Sequence, residues 1–577
     1  MNDTIITVAV VLLLVGIFGM VLLFENRSQK QMFLMRLRRN WGTIPEREYT
    51  YEELDRISHY ARRKGAGSFM IDDTTWNDLD MDQVFMMLNQ TVSGCGEDYL
   101  YYLLRKPLFD QEALSRRDKL VEYFRSHREQ REAVQMILRE IGRPANMSVS
   151  DYIFALKDVE QRSPFGYILQ MIAVFAGIAC AVTIPVFGIF LLLGVIAWNV
   201  VTHVRAMEKV EPYLRCFVCL LQLAAAGEKL GRLKLDALQD YAQPLVKSAK
   251  AMDKIRRKSK VVVQKNGVGE GLEGLILTYI NLVFLLDLIQ FYSMVRLFGG
   301  MEKDADTLME NIGILDSAIA IASYREYLAY YCLPEFVPGN QASMEVKELY
   351  HPLIAEPVAN SISVSGGVLI TGSNASGKST FLKNVAINAI FAQTIYTCTA
   401  QSYRANMMKV LTSMALRDNL QGGESYYIVE IKSLKRILEE SRKKEPMLCI
   451  VDEVLRGTNT IERIAASSRI LRFLDCPWVI SFAATHDIEL SYILEGIYKN
   501  YHFEEKILEN DVVFDYLLRG GRAASRNAIA LLEMIGYDRE IVEEARNAAA
   551  VFEKSGVWER IRTGREEIQK GQGEGAC

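Results

Sequence analysis

The sequence predicts a multidomain chain in which membrane helices and an all-α scaffold precede a C-terminal α/β domain of the P-loop type. Three observations predict it: uncharged apolar runs that all lie before residue 205, helical periodicity through most of the chain before Phe336, and a strand-like texture with proline and glycine from Phe336 onward. At 577 residues the chain exceeds what one hydrophobic core supports, and a mean hydropathy of +0.05 is high for a purely soluble enzyme. The net charge of −4 excludes a chain that is basic throughout and leaves any nucleic-acid contact to a local patch. The nine cysteines are scattered, only Cys216 and Cys219 lie close together, and no second ligand pair accompanies them, so they read as reduced, packed thiols.

Ile5 to Phe24 form an uncharged apolar run of the length, about twenty residues, that crosses a hydrocarbon layer. Arg27, Lys30, Arg36, Arg38 and Arg39 follow it, an order that predicts an uncleaved anchor with its N-terminus outside and the rest of the chain inside. Ser163 to Val204 is a second uncharged stretch, with Pro185 and Gly188 near its middle, and reads as two spans joined by a tight turn. Lys157 and Arg162 precede this hairpin and Arg205 and Lys209 follow it, so both flanks read as cytoplasmic. Three crossings make the expected protein multi-pass in a cell membrane, with lipid as a partner and the P-loop domain in the cytoplasm. Leu275 to Val295 is also apolar, but Asp287 and Gln290 interrupt it and a fourth crossing would carry the P-loop outside. It reads as a buried helix of the scaffold or one lying on the membrane surface. The expected organisation is an anchor at 1–25, a juxtamembrane linker at 26–67, helical regions at 68–162 and 205–335 flanking the hairpin at 163–204, the α/β domain at 336–550, and a tail at 551–577.

The segment Gly372-Ser-Asn-Ala-Ser-Gly-Lys-Ser379 fits the pattern G-x-x-x-x-G-K-[ST], with an apolar strand before it and an amphipathic segment from Thr380 after it. Glycines at these places let successive backbone N–H groups turn inward around phosphates, and a helix N-terminus adds its partial positive charge. The nucleotide-binding set is therefore Gly372, Ser373, Asn374, Ala375, Ser376, Gly377, Lys378, Ser379 and Thr380, with ATP and Mg2+ as the expected ligands. Lys378 reaches the β- and γ-phosphates and Ser379 is a magnesium ligand. Further on, Met447-Leu-Cys-Ile-Val-Asp-Glu453 is an apolar strand ending in paired carboxylates. Asp452 is expected to hold the metal and Glu453 to polarise the attacking water. A third strand, Trp478-Val-Ile-Ser-Phe-Ala-Ala-Thr-His486, ends in a histidine read as a sensor of the γ-phosphate or of water. Lys378, Glu453 and His486 form the catalytic set.

Taken together, these blocks resemble the MutS family of DNA mismatch-repair ATPases. Thr371-Gly-Ser-Asn-Ala-Ser-Gly-Lys-Ser-Thr380 is similar to that family's P-loop, including Asn374. Asp452-Glu-Val-Leu-Arg-Gly-Thr-Asn-Thr460 resembles its Walker B strand and following loop, and Phe482-Ala-Ala-Thr-His-Asp-Ile-Glu-Leu490 its histidine strand. Glu348-Leu-Tyr-His-Pro-Leu353 and Val358-Ala-Asn360 resemble the start of the ATPase domain, and Gly520-Gly-Arg-Ala-Ala-Ser-Arg-Asn-Ala-Ile529 the segment before its dimer-forming helices. The resemblance implies that Val358 and Tyr516 border the nucleotide, Tyr516 as an adenine-stacking ring. It also implies that Ser425, in Asn419-Leu-Gln-Gly-Gly-Glu-Ser-Tyr-Tyr-Ile-Val-Glu430, touches the γ-phosphate of a partner subunit in a homodimer. Thr91-Val-Ser-Gly-Cys-Gly96 with Lys106-Pro-Leu108 and Arg116-Arg-Asp-Lys-Leu-Val121 resembles the family's core domain, which gives the scaffold a core- and lever-like reading. Ser373, Ser376, Glu424 and Leu455 depart from the usual family residues, a membrane hairpin interrupts the scaffold, and no mismatch-recognition domain is expected.

The basic cluster Lys254, Arg256, Arg257, Lys258, Lys260 and Lys265 lies where such a scaffold faces DNA. It has three readings: phosphates of DNA bound without sequence preference, anionic lipid head groups, or a solvated face. The expected function is a membrane-anchored, MutS-like dimeric ATPase acting on DNA structures or mismatched DNA. An ABC-type transporter and a membrane scaffold switched by ATP without DNA are the alternatives.

Overall fold

The structure, a computed structural model, describes residues 24–558 except 26, 66, 145–146, 158, 160–161, 260–271, 374–375, 415–425, 456–457, 509–510 and 524–527. The expected anchor therefore lies outside the described residues but for Phe24 and Glu25, as do Lys260, Lys265, Asn374, Ala375, Ser425 and most of the expected tail. The chain divides into two compact units, one of residues 1–336 with 387–402 and one of residues 337–386 with 403–577.

The first unit is helical. Helix α1 (Tyr51–Lys64) starts in a capping box, Thr50 accepting from the Glu53 N–H while the Glu53 carboxylate accepts from the Thr50 N–H at 2.9 Å. Helix α2 (Gly94–Arg105) is capped by Ser93 and packs against a later helix, α7 (Glu302–Tyr327). Asp316 of α7, wholly buried, accepts from the Ser93 N–H at 2.8 Å and the Ser93 hydroxyl at 2.6 Å, closing the N-terminus of α2 with a carboxylate. The small residues of Ser93-Gly-Cys-Gly96 are there for contact: a Cβ at Gly96 would fall 2.2 Å from Asp316 Oδ2, so nothing larger than glycine fits. Burial pushes the thiols of Cys216 and Cys219 up to about 12, which keeps them protonated at neutral pH.

Residues 26–67 differ from the expected linker, since they carry a helix over 27–40 in addition to α1. Packing holds that first helix to the unit. Arg38 donates through Nε and Nη2 to the Glu132 carboxylate at 2.9 and 2.8 Å, and Arg128 donates to the same group at 2.8 Å. The Arg131 guanidinium lies 3.3 Å from the Trp41 ring centroid and that of Arg139 4.8 Å from the Phe33 centroid. A run of basic residues here reads as a juxtamembrane flank in sequence, and the acceptors that make it structural come from far along the chain.

Helices α3 (Phe165–Thr183) and α4 (Pro185–Arg232) are long and apolar enough to cross a membrane, each with a mean window hydropathy of 2.1. The turn sits where expected. Pro185 is the first residue of α4, where its missing N–H is harmless, and a Cβ at Gly188 would lie 2.2 Å from the Ala181 nitrogen, so glycine lets the two helices touch. Side chains along the hairpin face outward, with Phe187 62%, Phe190 72% and Trp198 66% exposed. Helix α4 does not stop with the apolar stretch but runs 48 residues into the helical unit. Leu275 to Val295 is no single helix: α5 (Leu272–Phe284) and α6 (Leu286–Phe298) meet at Leu285, whose φ is 55°, and bend by 75°. The polar residues of α4 explain the break. Asn199 Nδ2 donates to the Val283 carbonyl at 2.7 Å, satisfying an acceptor at the end of α5, and His203 Nε2 lies 2.9 Å from the buried Asp287 carboxylate of α6.

In the basic cluster, Lys254, Arg257 and Lys258 are exposed, whereas Arg256 is engaged by Glu228 and Asp253, each at 2.8 Å.

The second unit holds a six-stranded sheet. Its parallel strands are β3 (Gly367–Thr371), β4 (Lys409–Ser413), β5 (Met447–Asp452), β6 (Val479–Thr485) and β7 (Tyr498–His502), and the short β10 (Arg519–Gly520) pairs antiparallel with β7. The order is β10-β7-β3-β6-β5-β4. An antiparallel pair, β1 (Met344–Leu349) and β2 (Asn360–Val364), precedes it in sequence, and a hairpin of β8 (Glu505–Leu508) and β9 (Asp511–Phe514) follows β7. Every residue of β3 and β6 is buried, as continuous apolar runs covered on both faces require. The helices flanking the site are α8 (Lys378–Thr394), α9 (Tyr426–Ser441) and α10 (Thr460–Phe473).

The guanidinium of Arg38 beside Glu132 pulls that carboxyl down from its ordinary 4.5 to about 2. Its folded value is thus below its unfolded one, so the stabilisation is complete above about 4.5 and is lost as pH falls through 2. Glu132→Gln is expected to make protease cleavage between residues 27 and 50 nearly as fast at pH 7 as it is in the wild type at pH 2–3. Equal protection of variant and wild type at neutral pH would show that this pair does not dock the helix.

Candidate nucleotide site

Register decides what meets at the sheet edge. Thr371 is level with Thr485 across β3 and β6, and Asp452 with Ala484 across β5 and β6. The loops leaving the C-terminal ends of these strands therefore put the glycine-rich turn, the acid pair and His486 side by side, where open α/β sheets bind ligands.

The glycine-rich turn has the backbone its glycines predict. Gly372 has φ 148° and Gly377 φ 102°, values in the region that favours glycine. Ser376 is 1% exposed and its hydroxyl donates to the Ser373 carbonyl at 2.8 Å. Lys378, 5% exposed, touches no carboxylate among the described residues; its ammonium donates to the carbonyls of Gly372 at 2.8 Å and Ser373 at 2.6 Å. Burial lowers its pKa, and the nearby charges of Asp452, Glu453 and Glu505 oppose that. A buried cation resting on neutral carbonyls is poised for stronger acceptors, and phosphate oxygens supply them.

Ser379 and Asp452, the expected metal ligands, are brought together: the Ser379 hydroxyl donates to Asp452 Oδ2 at 2.5 Å. Both donors are oxygen, one of them anionic, a set that fits a hard Mg2+ ion. Burial holds the Asp452 carboxyl above the usual carboxylate range, the Ser379 hydroxyl acts the other way, and the Glu453 charge adds to the rise. Glu453 itself adopts φ 56°, a conformation rare outside glycine, with its N–H donated to the Ala484 carbonyl at 3.0 Å. Its side chain meets His486, whose Nε2 lies 2.5 Å from Glu453 Oε1. Asp487, next in the chain, takes two hydrogen bonds from Arg463 of α10, at 2.8 and 2.6 Å, which fixes the loop carrying the histidine.

A cavity of about 440 Å3 opens at the P-loop, lined by Gly377, Lys378, Ser379, Thr380 and Glu453 and by His351, Ile354, Pro357, Val358, Phe503 and Tyr516, while His486 lines a neighbouring one that shares Glu453. The polar half suits phosphates and the apolar half a base. Tyr516 is 44% exposed, and its ring packs on the P-loop so closely that a Cβ at Gly377 would sit 3.0 Å from it. Asn360 places this segment by donating to the Tyr516 carbonyl at 3.0 Å and accepting from the Leu518 N–H at 2.7 Å. Val358 and Tyr516, expected beside the base, both line this cavity; sequence reasoning gave no role to Asn360, Phe503 or Arg463, whose partners are 24 to 158 positions away.

Because folding raises the Asp452 pKa, its ionised form costs stability at every pH above the unfolded value of 3.8, fully so once pH exceeds the folded one. Asp452→Asn is accordingly expected to melt no lower than wild type at pH 7 without metal. With Mg2+ and ATP at about a hundred times Kd, the wild type gains about 2.7 kcal/mol, and the variant gains little. A full gain in the variant, read by thermal melting, would remove Asp452 from the metal site.

Comparison with known proteins agrees with this geometry. Residues 368–553 match the family model described as MutS domain V. The DNA mismatch repair protein MutS of Thermus thermophilus is 28% identical over 268 residues, covering 45% of this chain and 32% of that protein. MutS protein homolog 4 of Homo sapiens is 29% identical over 258 residues, covering 41% and 27%. The chain thus spans about a third of the length of the curated relatives it matches. The P-loop, the strand-end acids and the histidine thus all lie within the residues of the second unit that match MutS domain V, an ATPase domain.

Proposed function

We propose that this chain is a membrane-anchored MutS-type ATPase that works as a dimer and acts on DNA structures without reading sequence. The observation that carries the ATPase part is a cavity lined by Lys378, Ser379 and Glu453, with Asp452 accepting from Ser379 and His486 against Glu453. Ser379 and Asp452 would hold Mg2+, which would neutralise phosphate charge. The P-loop amides and Lys378 hold the β- and γ-phosphates, and Tyr516 with Val358 holds the base. Glu453 accepts the proton of the attacking water, and His486 orients the carboxylate for it. The match to domain V and the mismatch-repair names of the relatives support the dimer and the DNA ligand, with Ser425 reaching the γ-phosphate of the partner's nucleotide.

Membrane residence rests on the two apolar helices α3 and α4 and their outward-facing side chains. In this reading the hairpin and the anchor at 1–25 hold the protein in the cell membrane with the ATPase domain in the cytoplasm, and Lys254, Arg257 and Lys258 meet DNA phosphates near it. The partial engagement of Arg256 by Glu228 and Asp253 favours a second reading, in which the same membrane ATPase is a switch that ignores DNA.

Two measurements test these readings. Glu453→Gln is expected to lower kcat about a hundredfold or more while ATP still binds, since general-base catalysis is worth about 10²–10⁴; unchanged turnover removes Glu453 from its role. Detergent-free membranes washed at high pH should retain the chain, and the purified ATPase should respond to branched or mismatched DNA with an effect that weakens with salt. Release by the wash defeats the membrane reading, and a flat response to every DNA favours the DNA-independent switch.

A further inference from the structure

Glu505 begins β8 and is not one of the metal-side acids, yet it is 7% exposed and its carboxylate accepts a hydrogen bond from the Ser373 hydroxyl. The backbone around it is pressed onto the start of the P-loop. The Phe503 N–H donates to the Thr371 carbonyl at 3.1 Å, and a Cβ at Gly372 would stand 2.9 Å from the Phe503 carbonyl oxygen. Ser373, held in this way from one side, turns its own carbonyl to the other, where it accepts from Lys378 at 2.6 Å and from Ser376 at 2.8 Å.

We infer that Glu505, acting through Ser373, is a positioning residue that sets nucleotide affinity by keeping the P-loop lysine on the loop's own carbonyls. The inference rests on the nucleotide reading of the site and adds a control to it. Two effects of one carboxylate combine. Its hydrogen bond fixes the second residue of the loop, so the Ser373 carbonyl is always presented to Lys378. Its charge, mostly removed from water, acts on Lys378 together with those of Asp452 and Glu453 and opposes the arrival of a polyanion. When nucleotide binds, Lys378 exchanges two carbonyls for phosphate oxygens, and the buried negative charge makes that exchange less favourable. The site therefore holds ATP and ADP more loosely than its amides and lysine alone would, which suits a motor that must release product.

Glu505→Gln separates the charge from the hydrogen bond, because the amide oxygen still accepts from Ser373. A charge change at a partly buried site of this kind is expected to lower the KM for ATP and the Kd for ADP about tenfold, with kcat lowered no more than about twofold. Ser373→Ala leaves the charge but frees the loop, so kcat falls several-fold and Ser373→Thr restores it. A KM in Glu505→Gln that is unchanged or higher overturns the inference, as does a Ser373→Ala enzyme equal to wild type. Lys378→Ala is the control: if the folded wild-type protein binds ATP no better than this variant, it is the nucleotide reading that fails, and if wild type binds but Glu505→Gln shifts nothing, only the control of affinity by Glu505 fails.

Discussion

Backbone hydrogen bonding between β3, β6 and β5 makes Thr371 level with Thr485 and Asp452 level with Ala484, and every group in the nucleotide site depends on that alignment. A slip of one residue in β5 would turn Asp452 to the other face of the sheet and leave Ser379 without its partner. The continuous burial of β3 and β6 guards against this, since apolar side chains on both faces resist translation of either strand. Catalytic geometry is in this sense a by-product of core packing. The left-handed turn at Glu453 is affordable for the same reason: its N–H is tied to Ala484, one position from the end of the strand that carries His486.

Charge is arranged around the site with equal economy. A buried ammonium, Lys378, is ringed at a distance by three carboxylates, none of which touches it directly, and each of the three has another task. Asp452 meets Ser379, Glu453 meets His486, and Glu505 meets Ser373. Such a set neutralises the lysine without trapping it in an ion pair, which would have to be broken before a phosphate could enter.

The local patterns were legible in sequence because their chemistry is contiguous. A P-loop is eight residues in a row, an acid pair ends an apolar strand, and a hairpin turn announces itself through Pro185 and Gly188. What escaped was chemistry assembled from distant parts. The basic run after Phe24 reads as a flank until Glu132 and Arg128 are brought beside Arg38, and nothing near Glu505 in sequence announces that its carboxylate faces Ser373. The break at Leu285 was also unreadable, because what makes it tolerable is the Asn199 side chain of another helix taking the Val283 carbonyl. Periodicity reports which side of a helix is apolar, not which far residue will rescue a carbonyl where the helix ends.

Helix α4 couples parts that sequence would divide. At about 1.5 Å per residue its 48 residues make a rod of about 72 Å, whose first turns belong to the apolar hairpin and whose last turns are core of the helical unit. One helix thus joins the apolar end to the packed end, its backbone ladder missing one rung at Pro212, which has no N–H to donate. Tilt imposed at one end is passed along the same helix to the other, so whatever surrounds the hairpin acts mechanically on the scaffold.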